Sequence, residues 1–514
     1  CSQMEGFPKG YGYVPCIAGK PNNPEFTSTR INPGEGLGPR GQVRVHMREF
    51  SWPDRDCDPY WSTRTTTNGT YWGRFKARNP YYSGRIMRVK TGFIDPAGYS
   101  ENDFRTRTYF IHDISGPNIS GDIVVTGKDL LTNTDPKKTE CPITANGVLT
   151  STITVLDSPN QLTVTHNDDV YPTSSPSAGA VRIGDEIISF TGVTINSPQT
   201  TYTLTGLTRG AWNTDADDHT AGDTVQICYL MNGRIVVDVL YDLLTNYAGI
   251  DSAYIDYTQG SPEGQWDEEK RIWFTGYTLN NIISEPESIH DIIKNICQST
   301  NMEMWWDDVN QTVKIKANMP PTVQPSTYTM NDHIIEGSLK IKDIPKKRVS
   351  DVRVYYDKID HTGDDQPANY NIVDVDIDTD AESADEYNEK AKKQIFARYF
   401  DATNGGQAAG TGGRILNRYR NIPREYEWEM DARDEELTVG DLCFVESLCD
   451  QNPTGGYLGA QIQILEVKEV TPGHRYRYKG LTAEFTGRYG NILSLIHISE
   501  PTRPPSTSRM PSSA

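Results

Sequence analysis

Along "QVRVHMREF", Val43, Val45 and Met47 alternate with Arg44, His46 and Arg48, the two-residue period of a strand with one buried face. "GRIMRVKTGFID" and "RTYFIHDISG" repeat that alternation, with turns at Asn79-Pro80, Ser83-Gly84 and Pro96-Ala97-Gly98, and "GDIVVTGKDLL" closes the block. Residues 1–140 are therefore expected to be a β domain.

Residues 141–229 are rich in Thr and Ser and poor in Lys. There "AVRIGDEIISFTG", "TYTLTGLTRG" and "AGDTVQICYL" read as short strands between glycine turns, forming a small β domain inserted between two larger parts. The period then changes. In "IVVDVLYDLLTNY", Val236, Val239, Leu240, Leu243 and Leu244 share one helical face, and in "SEPESIHDIIKNICQST" Ile289, Ile292, Ile293 and Ile296 do the same. Ser284 with Glu287 predicts a capping box for the second helix, with Pro286 in its first turn. A hairpin follows, "MEMWW", a turn at 307–310, then "TVKIKA", completing an α+β unit over 230–318. Over 319–492 the period returns to two in "VSDVRVYYD", "YNIVDVDID", "REYEWEMDA", "GDLCFVES", "AQIQILEVKEV" and "RYRYKGLTAEF". One helix is expected in "SADEYNEKAKKQIFARYF", capped by Ser383, and "NGGQAAGTGG" reads as a flexible loop. The fold class expected is mainly β with some α (α+β), in several domains.

A chain of 514 residues exceeds a single core, and no apolar run approaches the roughly 20 residues of a membrane span, so it reads as soluble. No signal peptide is visible, and a chain that starts at Cys1 is expected to lack its true start. The net charge of −19 argues against an overall field that attracts nucleic acid. Between Arg40 and Phe110, however, 13 Lys/Arg stand against 7 Asp/Glu, a local +6 that leaves −25 elsewhere and suits distinct contact surfaces. Eight cysteines are scattered without a CxxC pair, which reads as free thiols rather than a zinc site or disulfide framework.

Asp374, Asp376, Asp378 and Asp380 have the spacing of a calcium-loop start, but the required Gly and distal Glu are out of place. Val375 and Ile377 alternate with the acids, so a strand with one wet face accounts for them. "NPGEGLGPRG" has neither a Walker lysine nor a helix to receive a phosphate and reads as a turn-rich loop. The block "YWGRFKARNPYYSGRIMRVK" fits a cationic protein–protein interface better than a nucleic-acid groove, given the overall charge. No GxSxG, HExxH or P-loop occurs, so no catalytic, cofactor-binding or metal-binding residue is assigned and no enzyme activity is expected. The sequons at Asn68, Asn118 and Asn310 carry little weight without a secretion signal.

Taken in order, "TRINPGEGLGPRGQVRVHMREF", "DPYWSTR", "GTYWGRFKARNPYYSGRIMRVKTGFID", "RTYFIHDISGP", "GDIVVTGKDLL", "VRIGDEIISFTG…LTGLTRGAWNT…HTAGDTVQ", "VVDVLYDLLTNYAGI", "EPESIHDIIKNICQSTNMEMWWDDVNQTVKIKA", "TVGDLCFVES" and "AQIQILEVKEV" resemble a tail protein family of long-tailed phages over nearly all of 25–490. The resemblance implies the central hub of the tail tip, related to the baseplate hub of contractile tails, located in the virion tail and assembled in the host cytoplasm. It implies a homotrimer whose two barrel-like β domains, 1–140 and 319–492, build a pseudo-sixfold ring, with 230–318 bracing the tip and 141–229 peripheral. Implied neighbours are the distal tail protein, the tape-measure protein and a fibre or host-binding tip protein, with DNA passing through and no specific binding. Some hub relatives carry an iron–sulfur cluster, but Cys1 and Cys16 are the only N-terminal pair and Cys443 and Cys449 lie far away, so no cofactor is expected.

Two other classes compete: a virion glycan-binding or depolymerising β protein, and a nucleic-acid-binding module using the basic 40–110 block, whose DNA binding would be lost on mutating Arg74, Lys76 and Arg78. The end of the chain stands apart. "LSLIHISEPTR" and "SRMPSSA" look like the in-frame translation of a sequencing adapter, so 493–514 is expected to be read-through without a biological role and without order.

Overall fold

The computed structural model describes residues 16–483 except 20–22, 51–61, 63–69, 93–103, 156–159, 166–177, 197–200 and a few positions singly or in pairs. Cys1, Cys57, Asn68 and the 493–514 segment lie outside the described residues. The protein is mainly β with some α.

The first alternating runs form a five-stranded antiparallel sheet of β1 (Glu25–Thr27), β2 (Gln42–Arg48), β3 (Ile86–Thr91), β4 (Arg105–Ser115) and β5 (Asp122–Lys128), in the order β1-β2-β5-β4-β3. Val43 and Val45 are buried with Tyr109, as the period of two requires. A bulge in β4 between Ile111 and Asp113 shifts its register against β5. This part also contains helix α1 (Tyr71–Arg78), which packs Trp72 with Ile114, Ile123 and Val125, and a 3-10 turn over Leu130–Thr134. The inserted region forms a seven-stranded sheet over 147–227 around Leu162, Val164, Ile188, Phe190 and Tyr202.

Helix α2 (Val236–Asp242) continues as a wider turn to Tyr247, and Val236, Val239, Leu240, Leu243 and Leu244 are all fully buried, as the apolar stripe predicts. Helix α3 runs from Ile289 to Thr300 and buries Ile289, Ile292, Ile293 and Ile296. The capping box at Ser284 and Glu287 does not form. Ser288 is the N-cap, and Glu287–Ser288 pair instead with Glu140–Cys141 as a short strand. The hairpin is β6 (Met302–Asp307) with β7 (Thr312–Ala317).

Two expectations for 380–419 are overturned. The segment beginning at Ser383 is not a helix: it turns, then enters strand β10 (Lys392–Phe396), which pairs parallel with β8 (Asp351–Lys358). Its Lys- and Ala-rich helix propensity is worth only tenths of a kcal/mol per residue, less than the ladder and the burial of Ile395. The glycine-rich segment is not a loop: it is helix α4 (Gly405–Tyr419), with Ala408, Thr411, Gly412, Ile415, Arg418 and Tyr419 buried. At position 412 a Cβ would lie 2.3 Å from Asp376 Oδ2, so a larger residue there requires that carboxylate to shift. The helix thus approaches β9 (Tyr370–Ile377), and tertiary packing outweighs about 1 kcal/mol lost per glycine. Strands β9, β8 and β10 form a mixed three-stranded sheet in that order.

The closing strands build a six-stranded sheet, in the order 327–329, 442–446, 460–471, 475–482, 424–431 and 340–343. Its core holds Tyr426, Trp428, Met430, Ile462, Ile464 and Tyr478. The largest apolar cluster runs from Ile31 through α2, α3, β6 to β8 and α4 to Leu481, so one continuous core ties the two β ends together.

Candidate assembly surfaces

The two outer sheets meet through the loop 30–38. Arg30 bridges to Glu466, its guanidinium lies 3.0 Å from Glu425, and Ile31 donates its N–H to Leu465 O at 3.0 Å. Lower down, Arg107 Nη1 is 3.1 Å from Glu469 Oε2, and the Arg105 guanidinium lies 5.0 Å above the Tyr476 ring. The glycine loop expected from "NPGEG" is held from several sides. Tyr419 Oη donates to Pro33 O (2.9 Å), Lys393 Nζ to Gly34 O (2.9 Å), Lys347 Nζ to Asn32 Oδ1 (2.9 Å) and Gln298 Nε2 to Glu35 O (3.1 Å).

Gly34 donates its N–H to Glu303 Oε1 at 3.0 Å, while Glu303 Oε2 is buried without a hydrogen-bond partner among the described residues. Burial pushes the Glu303 carboxyl up to about 8, against the Gly34 N–H and the charges of Arg418, Lys347 and Lys393. A carboxyl raised in the folded state binds its proton more tightly there than in the unfolded chain. Stability therefore falls as pH rises from the unfolded carboxyl value to about 8. Glu303→Gln keeps the acceptor for Gly34 and cannot ionise. We expect it to flatten that slope and raise the unfolding midpoint at pH 8 relative to pH 5, as read by denaturant titration at both pH values.

The basic block does not present its cations as one free row. Lys76 Nζ donates to Ile114 O (2.9 Å) and Gly116 O (2.8 Å), bracing α1 against the sheet. Arg74 and Arg78 also have partners. Its exposed positions include Tyr81 and the outward side of edge strand β3, where Ile86, Arg88 and Lys90 face solvent.

Strand β9 reverses the expected polarity. Val373, Val375 and Ile377 are exposed, at 43%, 44% and 42%, while Asp374 and Asp376 are half-buried against α4. Burial, and then the neighbouring Asp374, push the Asp376 carboxyl up to about 6. Asp378 pairs with Arg420 Nε at 2.9 Å. Among the described residues no group of three or more His, Cys, Asp or Glu side chains is placed to hold a metal ion.

Among solved structures, the chain is similar to tail proteins. A tail protein from Neisseria meningitidis matches with a TM-score of 0.40 at 11% identity, covering 90% of this chain and 94% of that one. The 43 kDa tail protein of prophage MuSo2 from Shewanella oneidensis matches at 0.35 and 9% identity, covering 89% and 95%. A chain of the virion of a native gene transfer agent particle matches at 0.33 and 9% identity, covering 80% and 87%. No protein-family model matches the chain, and no curated protein matches it by sequence.

A buried charge cluster in the inserted sheet escaped sequence reasoning. Glu186, with no exposed surface, accepts from Arg209 Nε (2.6 Å) and Nη2 (2.8 Å), from the N–H groups of Gly210 (2.9 Å) and Asp217 (3.1 Å), and lies 2.7 Å from His219 Nε2. Its members stand in "GDEI", "LTRG" and "DDHT", and the one available signal was a charged residue inside each otherwise apolar or turn-forming run. No helix is long and apolar enough to cross a membrane among the described residues.

Proposed function

We propose that the chain is a structural virion protein, the central hub of a tail tip. In this reading three copies form a ring that joins the tail tube to the host-recognition tip and gates the channel. The observation that carries it is the pair of sheets in one subunit, five-stranded and six-stranded, braced side by side through loop 30–38 and Arg107–Glu469. Two such units per chain give six around a threefold axis, the geometry needed to match a hexameric tube. The division into 1–140, 141–229, 230–318 and 319–492 follows the same reading, with the inserted β unit peripheral. Partners are the distal tail protein, the tape-measure protein and a fibre or host-binding tip protein. The −25 outside the basic block suits a lumen through which DNA passes without sticking.

The reading is tested by mixing the purified chain with its distal tail partner and imaging the product. Three copies in a closed ring are expected. A protein that stays monomeric at all concentrations and joins no ring overturns it.

A further inference from the structure

Two strand edges of this chain are complementary to each other, and neither is paired with another strand among the described residues. Strand β9 is the end strand of its sheet, and so is β3. Strand β9 reads Val373-Asp374-Val375-Asp376-Ile377, apolar on the open face and acidic on the α4 face. Strand β3 reads Ile86-Met87-Arg88-Val89-Lys90, with Met87 and Val89 packed toward Val43 and Val45, and Arg88 and Lys90 outward.

We propose that β3 of one copy adds in parallel to the open edge of β9 of a second copy, so that the protein joins to itself head to tail.

Hydrogen-bond parity sets the orientation. Asp378 donates to Ser350 O at 2.9 Å, extending the β8–β9 ladder, so residues 372, 374 and 376 bond toward β8. The N–H and C=O groups of Val373, Val375 and Ile377 then point to the open edge. On β3, Ile111 donates to Arg85 O at 2.8 Å, so 85, 87 and 89 bond toward β4 and the edge groups belong to Ile86, Arg88 and Lys90. Antiparallel pairing sets edge-facing residues opposite each other, which puts Arg88 beside valine and Val89 beside aspartate. Parallel pairing sets an edge-facing residue opposite an inward-bonded one. Arg88 then meets Asp374 or Asp376 while Met87 and Val89 meet the Val373–Ile377 row, and both faces match.

Charge selects the occupant. A β9 edge paired antiparallel with itself places aspartates opposite aspartates, and paired in parallel it places them opposite valines; a β3 edge paired with itself gathers Arg and Lys, and like charges directly opposite are destabilising. Only the mixed junction brings acid to base. A cation opposite Asp376 also favours ionisation of a carboxyl that burial and Asp374 hold near 6. Such a contact is heterologous and either closes into a ring or runs on as a filament. It covers two open edges that are otherwise a liability.

The inference rests on the ring-forming reading above and deepens it by naming the junction. The test uses the full chain in sedimentation velocity. Arg88→Glu and Val375→Lys change exposed positions, and each is expected to weaken self-association by about 50-fold or more with an unchanged unfolding midpoint. Val375→Thr, which keeps strand propensity, serves if the lysine lowers that midpoint. Mixed in equal amounts, Arg88→Glu and Val375→Lys each retain one intact edge and are expected to form a heterodimer and no ring. Rings that persist in both variants overturn the β3–β9 junction and leave the hub reading standing. Self-association lost in Val375→Lys alone overturns it in favour of β9 self-pairing. A wild-type chain that stays monomeric on its own overturns the junction, and one that also joins no ring with its distal tail partner overturns both.

Discussion

Replacing Gly36 by alanine is expected to lower the stability of the protein by about 3 kcal/mol or more. Gly36 has φ +81°, in the left-handed region, and a Cβ there would lie 2.7 Å from Lys294 O and 3.1 Å from Cys297 Cβ. Both obstacles belong to α3, one of them backbone, so neither can swing aside as a side-chain tip would. Relief requires moving the loop off the helix, which also disturbs the Gly34–Glu303 and Tyr419–Pro33 hydrogen bonds. Gly84 is the control. It has φ +77° but nothing within 4 Å of its Cβ position, so its alanine variant is expected to cost only the left-handed penalty, about 1–2 kcal/mol. Denaturant unfolding of the two variants separates close approach from backbone strain; equal losses would show that the α3 contact contributes nothing.

Glu186→Gln is expected to destabilise the inserted β unit by about 3–5 kcal/mol, because it removes the carboxylate charge that faces the Arg209 guanidinium in a nearly closed site. Burial works against the Glu186 charge, but the Arg209 guanidinium, the N–H groups of Gly210 and Asp217, and His219 outweigh it. The carboxyl is held below its ordinary range. A depressed folded value gives stabilisation that is complete above the unfolded carboxyl pKa and lost as pH falls through the folded one. Thermal unfolding followed from pH 7 to pH 3 is expected to show this acid-side loss in the wild type and a weaker one in Glu186→Gln. The remaining sheets share no residue with this cluster. Hydrogen exchange is therefore expected to rise over 147–227 and to stay unchanged in the five-stranded and six-stranded sheets.

The parts of the fold legible in the sequence are those where one local period decides the outcome. Val43, Val45 and Met47, the isoleucines of α3 and the β6–β7 hairpin each need only one apolar face, and any compact fold must bury it. The candidate site was half legible. The alternation Val-Asp-Val-Asp over 373–376 announces a strand, but a period of two is symmetric between its faces. Hydropathy favours burying the valines, yet the acids turn toward α4 because Val352 and Val354 of β8 already supply the apolar side of that layer and Gly412 leaves room for a carboxylate. Glu186, Arg209 and His219 were not legible together, since only the strand order of the inserted sheet brings positions 23 and 33 residues apart into contact.

What the sequence by itself determined is the mainly β class, the alternating strands at both ends, the two apolar helices between them and the uneven charge. The tertiary structure alone decided that 405–419 is a helix, that 392–396 is a strand and that β9 shows its valines to solvent. The reason is one of scale. Local preference distinguishes helix from strand by under about 1 kcal/mol per residue, while a neighbouring sheet edge or an apolar layer offers several kcal/mol over the same stretch. Where the two disagree, the neighbour prevails.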